Sequence, residues 1–245
     1  MIFYFTGTGN SLAAAKAVAQ EGEQIVSIAE ARHSKAFRYM VPDDEPVGFF
    51  FPEYCGTVGN AVLEFVRHLE LHHKGYVYAV ITSGGGRQHG GGLLRAELDK
   101  RGITLCRVFC VHMPDNAVMY LPAPSEEKAA ALLQRARLRC SEIRRAVRRK
   151  ERKPVRGGLF ARLMQPVYHL ANTTRPYRVG DNCTGCGKCA GNCPDHAIQM
   201  IKGRPVWQKT HCTLCAACIN RCPVQAISYG KDSKKRGRYV HPDLR

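Results

Sequence analysis

Eight of the chain's twelve cysteines lie between Cys183 and Cys222, and they fall into two copies of one pattern. The first copy, CTGCGKCAGNCPDHAIQM, begins at Cys183; the second, CTLCAACINRCPVQAISY, begins at Cys212. Each reads C-x2-C-x2-C-x3-C-P, and the two align without a gap at an offset of 29 residues. Such self-similarity predicts a pseudo-two-fold domain built from one duplicated unit. The spacing also constrains the chemistry. Short C-x-x-C steps let three thiolates of one loop reach three irons of a cube, while the fourth cysteine points to the other cube. By that rule Cys183, Cys186, Cys189 and Cys222 hold one 4Fe–4S cluster. Cys212, Cys215, Cys218 and Cys193 hold the second. Pro194 and Pro223 fix the chain direction after each distant ligand, and Ile198 and Ile227 fill the small core between the clusters. Structural zinc sites use two C-x2-C pairs separated by a longer gap, which this array does not match.

The array resembles the bacterial two-cluster ferredoxins over about fifty residues. The resemblance implies a small α+β domain, expected over residues 178–232, and a role in electron transfer. Four thiolates leave a cluster net negative, and Lys188, Lys202 and Arg221 are candidates to offset that charge, as are backbone amides; a solvated surface position is the plainer reading of each lysine or arginine.

The rest of the chain alternates strand-like and helix-like runs. Residues 2–6 form a short apolar strand, and residues 10–20 an alanine-rich helix. Residues 24–29 and 47–51 read as strands, and 57–71 has helical spacing. Residues 76–82 are a buried strand, 93–100 the end of a helix, 105–112 a further strand, and 125–150 a long helix opened by Pro124 and Ser125. This rhythm predicts an α/β fold: a flavodoxin-like, doubly wound, five-stranded parallel sheet over residues 1–150. ERKPVRGG opens a linker, mildly helical, over 151–177, and 233–245 forms a basic tail. Cys106 and Cys110, four apart on a strand, are expected on one buried side.

The first strand runs into Thr6, Gly7, Thr8, Gly9, Asn10 and Ser11, and then a helix. Hydroxyls and amides at a helix N-terminus make an anion site. A dinucleotide fingerprint would need glycine where this chain has Leu12, and no P-loop lysine is present. The T-G-T-G-N-S loop resembles the flavodoxin loop that holds the FMN phosphate. Two more loops leave carboxyl ends of strands, where ligands bind in such sheets. One carries Pro52, Tyr54 and Cys55, with Tyr54 a candidate to stack on the flavin ring or simply to pack. The other carries Thr82, Ser83, Gly84, Gly85 and Gly86, whose amides are candidates to reach the flavin edge.

With these loops, the segment Met113-Pro114-Asp115-Asn116 and the cysteine array, the chain resembles the flavodoxin–ferredoxin fusion proteins of anaerobic bacteria and archaea over nearly its whole length. The resemblance implies FMN beside two 4Fe–4S clusters in an intracellular electron carrier. One departure stands out. Flavodoxins are usually acidic, whereas this chain carries a formal net charge of +17, so an acidic redox partner is expected.

Eleven basic and two acidic residues fall between Arg135 and Arg156, and six basic and two acidic between Lys231 and Arg245. Such blocks attract nucleic acid, anionic lipid or acidic protein. No recognition helix, aromatic interleaving or RNA motif accompanies them, so nucleic acid is disfavoured. No apolar run reaches membrane-spanning length and no signal peptide is visible, so a cytoplasmic location is expected. Cysteines clustered in a reducing compartment point to metal rather than disulfides. The leading expectation is a carrier with no catalytic residues. The alternatives are a flavin and iron–sulfur oxidoreductase using His89 or His112 as proton donor over the FMN, and a redox-sensing nucleic-acid binder. Oligomeric state stays open.

Overall fold

The computed structural model describes residues 1–86 and 88–244; Arg245, the last residue of the basic tail, lies outside the described residues. The chain begins with β1 (Ile2–Tyr4), α1 (Asn10–Val18), β2 (Ile25–Ser27), α2 (Ile28–Ser34), β3 (Arg38–Met40), β4 (Val47–Tyr54) and β5 (Thr57–Val58). There follow α3 (Asn60–His68), β6 (Glu70–His72), β7 (Val77–Ser83), α4 (Gly91–Asp99), β8 (Leu105–His112) and α5 (Glu126–Arg148). Strands β2, β1, β4, β7 and β8 lie side by side in that order, every pair parallel. Counted along the chain this is the 2-1-3-4-5 order of the flavodoxin-like doubly wound sheet.

Parallel strands covered on both faces read as continuous apolar runs. In β4, Phe49 and Phe51 face one core with Val62 and Phe65 of α3 and Leu94 of α4. Phe50 faces the other, with Ala14 and Val18 of α1 and Ala136 and Ile143 of α5. The sheet is thus a middle layer between two helical layers, and its carboxyl ends project toward the candidate site.

Three local expectations differ from the structure. The second strand stops at Ser27 instead of continuing to Ala29, because the Ser27 hydroxyl accepts from the Glu30 amide and opens α2 at once. The helix expected from residue 57 starts at Asn60, since Thr57 and Val58 pair antiparallel with β4. Cys106 and Cys110 do not share a face. A register irregularity opposite Val77 and Tyr78 puts an extra residue into β8. Cys106 therefore joins Phe109 and Val111 in one core, and Cys110 lies on the opposite side, half-buried. An extra residue in a strand flips the faces on either side of it.

The second half begins with α6 (Leu159–Ala171) and β9 (Tyr177–Val179). It continues with α7 (Lys188–Gly191), β10 (Ile198–Ile201), β11 (Arg204–Trp207), α8 (Ala217–Asn220) and β12 (Ile227–Tyr229). Strands β10 and β11 pair antiparallel, as do β12 and β9. Ile198 and Ile227 meet in one small core with Cys193 and Cys218. This is the small α+β, ferredoxin-type unit. After it come two 3-10 turns, Asp232–Lys235 and Pro242–Leu244. The basic tail is not free: Tyr239 and His241 are buried.

Candidate functional site

The phosphate-type loop sits between β1 and α1. Gly9 precedes the helix at φ 103°, a left-handed conformation, and no side chain caps the helix. The first-turn amides of α1 are thus left without a protein side-chain partner, the arrangement in which a helix N-terminus takes an anion. The loop is held in shape by its own polar groups. The Gly9 amide donates to Thr6 Oγ1 at 3.0 Å, and Asn116 Nδ2 donates to Thr8 Oγ1 at 2.7 Å. Ser11 Oγ and Thr82 Oγ1 share a hydrogen bond of 2.8 Å, which ties the first loop to the third. The chain end seals the back. The His241 amide donates to the Thr8 carbonyl at 2.8 Å and Tyr239 Oη to Asn10 Oδ1 at 2.9 Å.

A cavity of about 160 Å³ opens over this loop. Thr6, Gly7, Thr8, Asn10 and Ser11 line it, as do Pro52, Tyr54, Thr82, Ser83 and Gly84. Gly9, Gly85 and Gly86 lie outside the lining; Gly9 packs on His241 and Leu244 instead. Gly84 packs tightly on Asp115: a Cβ there would come within 2.4 Å of its carboxylate. The Met113–Asn116 segment, leaving the carboxyl end of β8, forms the opposite wall. His89 and His112 do not line the cavity. His89 packs on Phe160, and His112 Nε2 is hydrogen-bonded to the Gly84 carbonyl at 2.7 Å. The residues fit a flavin mononucleotide on two counts: an uncapped helix start for the phosphate, and aromatic and methionine walls for an apolar ring.

The cysteines fall into two sets. Cys183, Cys186, Cys189 and Cys222 surround one hollow, with Ile227 and Met200 on its wall. Cys186 is exposed and the other three are half-buried. In the second set, Cys193, Cys215 and Cys218 are buried and Cys212 half-buried. Cys212 and Cys193 lie within electrostatic reach of each other and of Cys218, as do Cys215, Cys218 and Cys212. Burial pushes the Cys212 thiol up to about 12, since a lone thiolate there would be poorly solvated. The repeats are matched down to the backbone. Gly185, Gly187 and His196 have positive φ in the first, and so do their counterparts Leu214, Ala216 and Gln225, 29 residues on. The Ala197 amide donates to Cys193 Sγ at 3.3 Å, and its counterpart Ala226 to Cys222 Sγ at 3.2 Å. Such bonds favour thiolate. Among the described residues no three His, Cys, Asp or Glu side chains converge on a single-ion site. Of the proposed charge-offsetting groups, Arg221 lies near Cys215 and its pKa is lowered by burial. Lys188 borders the outer hollow, and Lys202 is exposed in the β10–β11 turn.

The two sites share a wall. A Cβ on Gly7 would come within 2.1 Å of the Cys215 carbonyl oxygen, so the phosphate-type loop and the second cysteine loop touch backbone to backbone. Leu214 lines the cavity directly. Tyr54 and Tyr168 stand parallel, 6.1 Å apart, on the same wall. Tyr168 Oη donates to the Thr213 carbonyl at 2.6 Å. The Tyr54 hydroxyl is buried without a partner among the described residues and feels Cys215 and Asp195 electrostatically. The buried Asp195 carboxylate accepts from the amide and hydroxyl of Thr213 and from Arg32 of α2, 3.2 Å away. His33 stacks on His196 at 3.4 Å. The second cysteine set is thereby clamped against the carboxyl ends of the sheet, and the first faces solvent.

Tyr120, Tyr168 and Leu214 were not singled out in the sequence. Tyr168 and Leu214 come from outside the α/β half, and no local pattern marks them. Tyr120 lies a few residues past β8, and the rule that ligands gather at carboxyl ends of strands leads toward it.

No curated protein matches the chain. Among solved structures, it is similar to the Trp repressor binding protein of Bacillus subtilis, at 11% identity and a TM-score of 0.35 over 63% of this chain and 100% of that one. It is similar also to the rubredoxin oxygen:oxidoreductase of the anaerobe Desulfovibrio gigas, at 16% identity and a TM-score of 0.32 over 61% of this chain and 36% of that one. At these scores the strand order, not the likeness, establishes the fold. Residues 182–227, which contain both cysteine repeats, match the family of 4Fe-4S dicluster domains, and this part of the chain is an iron–sulfur domain.

Proposed function

We propose that the chain is an electron carrier that links an FMN in the cavity above Thr6–Ser11 to two 4Fe–4S clusters and, through them, to a redox partner. The observation that carries this reading is the shared wall: the Gly7 and Cys215 backbones touch, and Leu214 lines the cavity. When bound, the flavin supplies one- or two-electron chemistry and each cluster one-electron chemistry. The chain's own residues supply position. The amides and hydroxyls of residues 6–11 hold the phosphate end. Tyr54, Tyr120 and the methionines exclude water from the ring. Cys193, Cys212, Cys215 and Cys218 hold the inner cluster, and Cys183, Cys186, Cys189 and Cys222 the outer, solvent-facing one. Tyr54 and Tyr168 fill the gap between cavity and inner set, which keeps that gap dry.

Residues 1–150 and 178–232 act as the two working units, with 151–177 packed between them. Reduced thiols and a metal-type cysteine array suit the cytoplasm of an anaerobe. The net charge of +17 suits an acidic partner. The reading as a substrate-converting oxidoreductase is the weaker one, because neither His89 nor His112 lines the cavity.

The test is a count on protein purified without oxygen. About eight irons with matching sulfide and one FMN per chain are expected. Eight irons with no flavin, even after FMN is added, would overturn the flavin half of the proposal.

A further inference from the structure

The helix α6 is apolar on two sides. Its inner side, with Ala161, Gln165 and Tyr168, packs on the cavity loops: Thr57 Oγ1 donates to the Ala161 carbonyl at 2.8 Å and Gln165 Nε2 to the Val58 carbonyl at 2.7 Å. Its outer side carries Leu159, Leu163, Val167 and Leu170, spaced i, i+4, i+8 and i+11, which is one continuous stripe of a helix. Leu159 is 70% exposed, Leu163 65% and Leu170 77%. The ridge therefore stands clear of the molecule instead of filling a gap in it. Tyr120 and Leu121, both exposed, extend it, since Tyr120 reaches the last carbonyl of α6. A helix of 13 residues makes a ridge of about 20 Å.

Along the chain, the charge on either side of this ridge is of one sign. From Arg152 to Gly180 the sequence has no Asp or Glu, and six arginines or lysines: Arg152, Lys153, Arg156, Arg162, Arg175 and Arg178. Beyond the carboxyl end of α6, Tyr229 Oη bonds the Ala171 carbonyl at 3.4 Å. Next to it lies a hollow lined by Arg175, Arg178, Lys231 and Lys234 with no acidic side chain. We propose that α6 lies in the interface of an anionic lipid bilayer, with the leucine ridge in the headgroup–acyl boundary and the flanking arginines and lysines on the lipid phosphates. An apolar ridge bounded by cations is the pattern of an interfacial helix. A bilayer accepts such a ridge without a matching groove, whereas an acidic protein would have to supply one. No helix of the described residues is long and apolar enough to cross a membrane, so the contact is peripheral. Because Tyr168 on the inner side of α6 lines the cavity, docking would bring that cavity close to the lipid surface.

The test uses full-length protein carrying its clusters, sedimented with vesicles of phosphatidylcholine alone and of phosphatidylcholine with phosphatidylglycerol. Binding to the anionic vesicles and not to the neutral ones is expected. The double variant Leu163→Glu/Leu170→Glu, at exposed positions, should bind at least tenfold more weakly, since a leucine side chain loses about that factor by itself when it leaves an apolar phase. Arg175→Gln/Arg178→Gln should lose about fivefold per arginine. Iron content and the melting temperature of each variant report that the fold is intact. The proposal is overturned if wild-type protein stays in the supernatant, or if the leucine variant sediments like wild type, which would reduce the effect to net charge. A solution dimer that the leucine variant splits would overturn it too and assign the ridge to a second copy of the chain. None of these results touches the count of irons and flavins.

Discussion

Gly7→Ala tests the shared wall directly. A Cβ at this position would lie 2.1 Å from the Cys215 carbonyl oxygen and 3.0 Å from its carbon. Comfortable contacts lie near 3.5 Å, so the phosphate-type loop and the inner cysteine loop must part by about 1 Å or more. Neither contact is the end of a flexible side chain, so nothing can swing aside. Overpacking of this kind costs about 1–3 kcal/mol, and a backbone clash belongs at the upper end. For a chain of this length each kcal/mol lowers the melting temperature by about 2–4 °C, which gives a drop of about 6–12 °C. The assay is thermal unfolding of anaerobically purified protein, with iron and flavin counted in the same samples. Flavin affinity should fall with stability, because both sites lose the same contact. Gly85→Ala is the control: the nearest atom to its Cβ is Ser83 Oγ at 4.0 Å, and it should melt like wild type. If Gly7→Ala melts within a degree or two of wild type and keeps its flavin and iron, the loops do not touch and the shared wall is not there.

Three more outcomes are expected. Asp195→Ala removes the acceptor of Thr213 and one partner of Arg32, in a nearly buried pair; denaturant unfolding should show a loss of about 3 kcal/mol, and a loss under half a kcal/mol would mean that the clamp does nothing. Ala216 holds φ 61° where the first repeat has Gly187 at 73°, so Ala216→Gly should stabilise by up to about 1 kcal/mol and Gly187→Ala should destabilise by a similar amount; thermal melts that move the other way sink the idea of a common strained turn. Glu97 is nearly buried, and the burial that would raise its pKa is outweighed by hydrogen bonds from Lys100 and Arg67, which hold it below its ordinary 4.5. A depressed folded-state value stabilises above the unfolded one and loses that stability as pH falls through the folded one. The gap in stability between wild type and Glu97→Gln, followed by urea unfolding, should therefore be full at neutral pH and close below about pH 4; a gap independent of pH would show that the carboxylate's charge plays no part.

Whatever rests on local pattern could be read from the residues alone. Cysteine spacing fixes which thiols can share a cube, because a loop of eleven residues has few ways to reach one. Continuous apolar runs at Val47–Phe51 and Val77–Ile81 identify strands covered on both faces. The T-G-T-G-N-S turn marks a candidate anion site because a strand runs into it and a helix follows it in a doubly wound sheet. Local pattern falls short where short exposed strands such as β3 and β6 are held by pairing with each other, and where one extra residue in β8 sends Cys106 and Cys110 to opposite faces. Tertiary structure alone decided how the halves meet. Nothing near Leu214, Tyr168 or Asp195 in the chain says that the cavity over Thr6–Ser11 or Arg32 lies beside them. Nor does the sequence say which of the two cysteine sets is inner, since the repeats are nearly equivalent until one of them is pressed against Gly7. The outward stripe of α6 has the same origin. Its periodicity reveals an apolar face, but a helix with leucines on one side and Ala161 and Tyr168 on the other shows which side is buried only once its neighbours are in place.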